Sequence, residues 1–555
     1  MKLSDYVISF IEDKVADSIF LLSGGGIMHL VDSIGRSKLQ AYCTHHEQAA
    51  AIAAEGFARI RNDIGVICVT TGPGGTNAIT GVAGAWLDSI PMLIISGQVK
   101  RDNITPRKNG APTVRAIGFQ ELNVIDMVKP ITKYAVTVEE PHEIRYHLEK
   151  AIYLAKSGRP GPVWIEIPLD VQAEDIDPTH LPSFTPQPKD MFEKPKIPMD
   201  LIVEKLNNAK RPMLLVGNGI RLAGGVDILH KVLKKLQINT ATVMFTADDV
   251  VTYKYQQYLG RQGMWGNKEA NYAIDNCDVL LVVGDRLQLT QTSYDYQNFA
   301  KQALKIMVDI DEAELMKKTI DIDIPVHADA KDFLEQLYDQ NIILNRWDIT
   351  VTKINPLEYK SKGKYINVYD FHEALSAFCK KGLHIATADA QAAVSTHQAL
   401  RVVQGQRLIT NAGLGHMGSG LPLAIGACIA NNKNPVICMD GDGSIMLNIH
   451  ELQTILYNKL PIKIFLFNND GYFSIRNTHL KFFNKVFASD SKTGVSFPNF
   501  KRLTKAWGLG YERISHKEDL KKLNEILNYS GPILCELIID PNQPMFKTWT
   551  AGEYV

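Results

Sequence analysis

The sequence predicts an α/β protein of three domains, each a mostly parallel sheet flanked by helices. Three observations predict it. Short apolar runs ending in Gly, Asp or Asn recur along all 555 residues, as strands buried on both faces of parallel sheets require. Stretches of helical periodicity separate those runs, which is the order of repeated βα units. The length exceeds what a single hydrophobic core supports.

The elements follow in chain order. MKLSDYVISFIEDKVADSIFLL places acidic residues among apolar positions at helical spacing, so it lacks the continuous apolar segment of a signal peptide. The runs read as strands are GVICVTTGPG (65–74), PMLIISG (91–97), PVWIEIP (162–168), PMLLVGNG (212–219), DVLLVVGDR (278–286), KIMVDID (305–311), PVICMDGDGS (435–444) and IKIFLFNND (462–470). Between Gln172 and Asp200 the chain turns polar and carries Pro178, Pro182, Pro186, Pro188, Pro195 and Pro198, the composition of an extended linker. A second polar stretch, 345–365, precedes another strand-and-helix series. The expected domains are therefore 1–180, 190–345 and 360–555.

Composition excludes several functions. Lys+Arg and Asp+Glu are both 60, and no long basic run is present, so nothing marks a nucleic-acid or anionic-membrane partner. No apolar window is long enough to span a bilayer, which leaves the cytoplasm as the default location. Cys43, Cys68, Cys277, Cys379, Cys428, Cys438 and Cys535 are odd in number, scattered and never in CxxC spacing. They read as reduced thiols rather than a disulfide framework or a zinc site. Small-molecule chemistry is the expectation that remains.

The strongest chemical signal is MDGDGS (439–444) followed by FNNDGY (467–472), each just beyond an apolar strand. Asp442 and Asn469 are 469 − 442 = 27 positions apart. Mg²⁺ takes hard oxygen ligands in octahedral geometry and usually shares them with a phosphate, so a carboxylate, an amide oxygen and a backbone carbonyl suit a Mg²⁺-diphosphate. Gly441 and Gly443 allow the backbone close to phosphate oxygens, and SIMLNIHELQTILYN, from Ser444, reads as a helix whose N-terminus faces the anion. Either dipeptide alone is equally an ordinary turn after a strand.

These motifs resemble the thiamine-diphosphate enzymes, whose signature is GDG followed about thirty residues later by NN. The resemblance implies that Asp442, Asn469 and the carbonyl of Gly471 hold the Mg²⁺ that anchors the cofactor. It also implies that Ala390 and Gln391, in DAQ (389–391), contact the diphosphate. In THHEQAAAIAAEGFAR (44–59), Glu47 opens a helix of small residues, where a carboxylate by itself is equally a dipole partner. The segment is similar to the HEQ-AEGYAR stretch of the acetolactate synthase and pyruvate oxidase family, whose Glu bonds N1′ of the aminopyrimidine. That resemblance makes Glu47 the expected general acid/base, acting through the cofactor. GLGHMGSGLPLAIGA (413–427) resembles the family's GLGTMG-GLP, which implies Gly415 and Met417 beneath the cofactor, with His416 where Thr is usual. SGGG (23–26), TTGPGGTN (70–77), LDSIPMLIISGQ (87–98) and GFQE (118–121) match in order, implying that Gly25, Pro73, Asn77, Phe119 and Gln120 wall the site.

In the middle of the chain, GNG (217–219), GMWG (263–266), GDR (284–286), DID (309–311) and ADAK (328–331) fall where acetolactate synthases carry FAD-contacting motifs. The resemblance implies a structural FAD at Gly217, Gly219, Gly263, Arg286, Asp309 and Asp329. It further implies a 2-oxo acid donor, pyruvate, a carbonyl acceptor, and a homodimer or homotetramer with active sites at subunit interfaces. A flavin-using oxidase of the pyruvate oxidase type is the alternative.

Two departures concern the acceptor. Thr478 stands where branched-chain acetolactate synthases have an acceptor-selecting Trp, and the loop 100–118 is longer and carries Lys100, Arg101, Arg107, Lys108 and Arg115. Such a loop is either a solvated surface segment or a cationic clamp for a phosphorylated acceptor. Residues 284–315 and 468–478 are similar to the family's surface-polysaccharide branch, which adds an acetyl unit to a keto-deoxysugar nucleotide. The acceptor is thus either a second pyruvate or such a nucleotide.

Overall fold

A computed structural model describes residues 1–187, 192, 195–246, 250–349, 359, 363–545 and 549–554. Pro188 and most of the second polar stretch lie outside the described residues. Its fold is α/β, with three six-stranded sheets and helices between their strands.

The first sheet contains β1 (Ser18–Leu22), β2 (Gln40–Cys43), β3 (Gly65–Val69) and β4 (Met92–Gln98). A two-residue ribbon, β5 (Arg107–Lys108) with β6 (Ala111–Pro112), intervenes before β7 (Tyr134–Thr137) and β8 (Pro162–Pro168) complete it. Its order is β2-β1-β3-β4-β8-β7, every pair parallel. β3, β4 and β8 are buried at every position, which explains their unbroken apolar sequence.

The second sheet contains β9 (Pro212–Val216), β10 (Asn239–Val243), β11 (Tyr258–Gln262), β12 (Val279–Val283), β13 (Leu304–Asp309) and β14 (Ile324–His327). Its order, β11-β10-β9-β12-β13-β14, is all parallel. Counted within the sheet this is 3-2-1-4-5-6, the order of dinucleotide-binding folds, with the switch point between β9 and β12.

The third contains β15 (Ile385–Thr387), β16 (Leu408–Thr410), β17 (Val436–Gly441), β18 (Ile462–Asn468), β19 (Gly510–Ile514) and β20 (Ile533–Ile538), in the order β16-β15-β17-β18-β20-β19. All eight apolar runs singled out in the sequence are strands of these sheets.

The chain forms two compact units. One is Met1–Phe192 with Asn411–Cys438 and Ser444–Ile462, and the other is Glu193–Thr410 with Met439–Gly443 and Lys463–Val555. Among the described residues no helix is long and apolar enough to cross a membrane. No disulfide is seen among the described residues.

One expected element differs. The stretch after GDG is not a continuous helix but a turn of helix at Asp442–Ile445 and a second helix at Glu451–Tyr457. Between them the backbone closes i→i+3 bonds, Leu447 N to Ser444 O and Asn448 N to Ile445 O. The Asn448 side chain leaves the helix to donate to Gly418 O at 2.8 Å.

Candidate active site

In the first unit, Glu47 begins the helix Glu47–Arg61. This helix is rich in alanine because two others press on it. A Cβ on Gly81, in helix Pro73–Leu87, would lie 2.5 Å from Ala51 Cβ, and one on Gly426, in helix Gly420–Ala430, only 1.8 Å from Ala53 O. Interiors packed to crystal density leave no room for either methyl. The Glu47 carboxylate is 5% exposed, and its Oε2 accepts a 3.0 Å hydrogen bond from Asn77 Nδ2.

The loops expected to wall the site come together here. Gly26 N donates to Thr70 Oγ1 at 3.2 Å, and Cβ atoms on Gly24 or Gly26 would collide with Thr70 and Thr71. A Cβ on Gly25, by contrast, would meet nothing within 4 Å. Gly72, at φ +62°, turns the chain so that Pro73 can start its helix, and the carbonyl of Gln120 rests against it. Phe119 is 87% exposed, an unusual place for an aromatic ring.

Met417 lies on a loop fixed from below by a buried ionic network that sequence reasoning missed. Arg59 donates to Glu55 Oε1 through Nε (2.9 Å) and Nη2 (2.7 Å), and Nη2 also reaches Asp88. Glu55 Oε2 accepts from Asn411 Nδ2 at 2.9 Å, while Asp88 accepts from the amides of Ala412 (3.0 Å) and Gly413 (2.8 Å). Removing one partner of such a buried group costs roughly 3–5 kcal/mol. A Glu and an Arg four apart on an otherwise alanine-rich helix were the available signal.

The loop then runs through Gly415 (φ +62°), His416 and Met417 to Gly418 (φ +82°). There Ser444 Oγ accepts from Gly418 N at 2.9 Å. Neither ring nitrogen of His416 has a partner among the described residues, and burial pushes the imidazole down to about 4, so it is neutral at pH 7.

In the second unit, Asp442 is 1% exposed at the end of β17. Its Oδ2 accepts from the amides of Asn469 (3.1 Å) and Gly471 (3.0 Å), and its Oδ1 from Gly443 N (2.7 Å). Burial nevertheless pushes the carboxyl up to about 7, with the three amides acting the other way. Gly471, at φ +125°, packs against Ser489 O, where a Cβ would come within 2.2 Å. Gly443 lies under the Tyr472 ring at a distance that excludes a Cβ.

Two buried polar atoms at this end lack partners among the described residues. Asn469 Nδ2 donates to Gln391 Oε1 at 2.7 Å, which leaves Asn469 Oδ1 as a free acceptor and Gln391 Nε2 as a free donor. An acceptor beside a carboxylate suits a hard cation, and a donor beside it suits an anion. Ala390, at φ +54°, sets the helix that carries Gln391. Among the described residues no three His, Cys, Asp or Glu side chains cluster, so a purely side-chain metal cage is absent.

The middle sheet brings Gly217, Gly219 and Gly284 together at its switch point, where a Cβ on Gly217 would lie 2.2 Å from Gly284 O. Gly263, at φ +138°, is held by Asn271, whose side chain bonds both its amide and its carbonyl at 3.0 Å. Arg286 is half-buried, and no hydrogen bond from its guanidinium is seen among the described residues. Asp309 Oδ1 accepts from Asp311 N at 2.9 Å. Asp329 caps the helix Ala330–Asp339 by accepting from Lys331 N (2.8 Å) and Asp332 N (3.2 Å). A local cap accounts for Asp329 without a ligand.

One reading is corrected. Arg101 is not free to clamp a phosphorylated acceptor: its Nε bonds Asp170 Oδ2 at 2.7 Å, Nη1 bonds Glu139 O at 2.9 Å, and Nη2 pairs with Glu174. A guanidinium with carboxylates on two nitrogens has its charge satisfied within the chain. Arg107 pairs with Asp126 at 3.1 Å, while Lys100, Lys108 and Arg115 remain on or near the surface. Thr478 is exposed on the helix Phe473–Phe483 and returns its hydroxyl to Ser474 O at 3.0 Å.

Known proteins resemble this chain along most of its length. Residues 1–125 match the thiamine pyrophosphate enzyme N-terminal TPP binding domain, 199–337 the central domain, and 390–537 the C-terminal TPP binding domain. The acetolactate synthase large subunit of Lactococcus lactis is 31% identical over 99% of this chain and 94% of its own length. The acetolactate synthase isozyme 2 large subunit of Escherichia coli is 32% identical over 97% and 96%. A probable acetolactate synthase large subunit of Methanocaldococcus jannaschii is 32% identical over 98% and 93%. The chain belongs to the thiamine pyrophosphate enzymes, as a carboligase-type member of the acetolactate synthase-like family.

Proposed function

We propose that the enzyme decarboxylates pyruvate and joins the two-carbon fragment to a second 2-oxo acid, giving acetolactate. Bound thiamine diphosphate supplies the carbanion chemistry that breaks the carboxyl bond and makes the fragment nucleophilic. The observation that carries the reading is the Asn469 side-chain oxygen that lacks a partner among the described residues beside buried Asp442, and a buried carboxylate at Glu47 oriented by Asn77 supports it from the other unit. Asp442, Asn469 Oδ1 and the Gly471 carbonyl would hold Mg²⁺; Gln391, Gly441, Gly443 and Ser444 would surround the diphosphate. Glu47 exchanges a proton at N1′ of the aminopyrimidine, and general acid/base groups of this kind contribute about 10²–10⁴-fold. Gly25, Phe119, Gln120 and Met417 would shape the donor pocket and keep water from it.

The spans 1–180, 190–345 and 360–555 would serve as aminopyrimidine-binding, FAD-binding and diphosphate-binding domains. A structural FAD in the middle one is supported by the 3-2-1-4-5-6 strand order, the glycine contact at its switch point and an Arg286 guanidinium without a hydrogen bond among the described residues. Carboligation transfers no net electrons, and the relatives named above are synthases, so the oxidase alternative is not favoured. Assembly as a homodimer or homotetramer is supported by exposed Phe119 in the first unit and Phe482, Phe483 and Phe487 in the second. A cytoplasmic location is supported by seven scattered cysteines, odd in number and never in CxxC spacing.

A second acceptor, the keto-sugar nucleotide, is favoured by exposed Thr478, which leaves that wall open. One experiment separates the readings: enzyme with thiamine diphosphate, Mg²⁺ and pyruvate, with and without a keto-deoxysugar nucleotide, and products identified by mass. Acetolactate from pyruvate alone is expected. A branched-sugar product with no acetolactate would transfer the proposal to the nucleotide, and hydrogen peroxide formation would restore the oxidase.

A further inference from the structure

The turn that delivers Glu47 is gripped from a segment some four hundred residues away. His45 N donates to Glu451 Oε1 at 2.9 Å, and the His46 amide also favours the charged form of Glu451. Thr454 Oγ1 donates to the other carboxylate oxygen at 2.5 Å. The rings of His46 and His450 meet edge to face at 5.9 Å, so the two segments touch on both sides of the carboxylate. His450 Nε2 lies 3.5 Å from Glu451 Oε1 but without hydrogen-bond geometry.

Glu451 is 0% exposed, burial raises its pKa, and no Lys or Arg pairs with it among the described residues. A buried carboxylate without a cation is costly, and an apolar side chain would serve packing better. What the carboxylate does that a leucine cannot is hold the amides of the turn.

We propose that Glu451 is a positioning residue for Glu47: it fixes the His45–His46 backbone and thereby the height at which helix Glu47–Arg61 presents its first carboxylate. The inference rests on Glu47 being the acid/base group. Losing the grip lets Glu47 drift, and misplacing a catalytic group by about an ångström costs on the order of 10²-fold in rate.

The test uses the full chain, with and without thiamine diphosphate and Mg²⁺. Glu451→Ala should speed amide hydrogen exchange at His45 by about tenfold or more without cofactor, slow C2 proton exchange about 10²-fold with cofactor, and leave cofactor affinity unchanged. Glu451→Gln keeps an acceptor for His45 N and should behave as wild type in all three. Glu451→Asp, one methylene short of the turn, should resemble the Ala variant and carries the test if Ala does not fold. Wild-type C2 exchange in both the Ala and Asp variants would overturn the proposal, and so would a Gln variant as slow as Ala. Failure of the Glu47 assignment is separable: Glu47→Gln with normal C2 exchange removes that reading, while His45 amide exchange still reports the grip.

Discussion

The first and third sheets share one strand order, 2-1-3-4-6-5, yet the ends of their strands are equipped for opposite tasks. In the first sheet the loops after β1 and β3 are glycine and threonine packed against each other, and the proposed acid/base group is one carboxylate at a helix start. In the third, the corresponding ends after β15 and β17 carry Gln391 and Asp442, and Asn469 after β18 adds an oxygen without a partner among the described residues. The difference teaches that topology selects where a ligand sits, while residues just past the strands decide which part of it is held. The middle sheet, with its 3-2-1-4-5-6 order, is a third case in which most strand-end groups are satisfied locally.

The largest expected effect lies at the first sheet. Glu47→Gln should leave cofactor bound but slow C2 proton exchange by about 10²–10⁴-fold, measured by deuterium loss. Near-normal exchange would break the comparison by removing the one chemical group on that side.

The next effect lies at the third sheet and has the opposite signature. Asp442→Ala should weaken thiamine-diphosphate binding by roughly 10- to 100-fold, since contacts to charged groups contribute about 1.5–3 kcal/mol. Titration with Mg²⁺ present reads it, and unchanged affinity would contradict the metal assignment.

A pH effect distinguishes the first sheet's core. Burial pushes Glu166, in β8, from its ordinary value of 4.5 up to about 7. The folded state therefore binds the proton more tightly than the unfolded chain, so this group's contribution falls as pH rises from about 4.5 to 7. The difference corresponds to roughly 3 kcal/mol at most, and Glu166→Gln should flatten that part of the stability curve in denaturant unfolding. An unchanged slope would show that Glu166 is ionised in the fold.

Packing gives the smallest effect. Gly426→Ala forces a methyl onto Ala53 O and should cost about 1–3 kcal/mol of stability, read as a lower Tm.

How much was legible follows from distance along the chain. The strands and the GDG and NN ends were readable because each is a contiguous apolar run with its polar ending attached. Glu55 and Asn411, 356 positions apart, and His45 and Glu451, 406 apart, were not, because no local pattern records a partner that remote. Which of the two readings of the 100–118 loop applies to Arg101 was hidden for the same reason: Asp170 and Glu174 neutralise it from 69 and 73 residues away. The cap role of Asp329 was legible in its position just before the helix Ala330–Asp339.

The proposal most open to test is that, in the assembled enzyme, Glu47 of one chain would serve the diphosphate end of another. Mixing Glu47→Gln chains with Asp442→Ala chains under subunit exchange, at a thiamine-diphosphate concentration too low to load the Asp442→Ala chain alone, tests it directly. Shared sites give mixed dimers one intact site each, so activity should return to roughly a quarter of wild type when half the dimers are mixed. No recovery despite demonstrated subunit exchange would place both residues in a site within one chain and contradict the account.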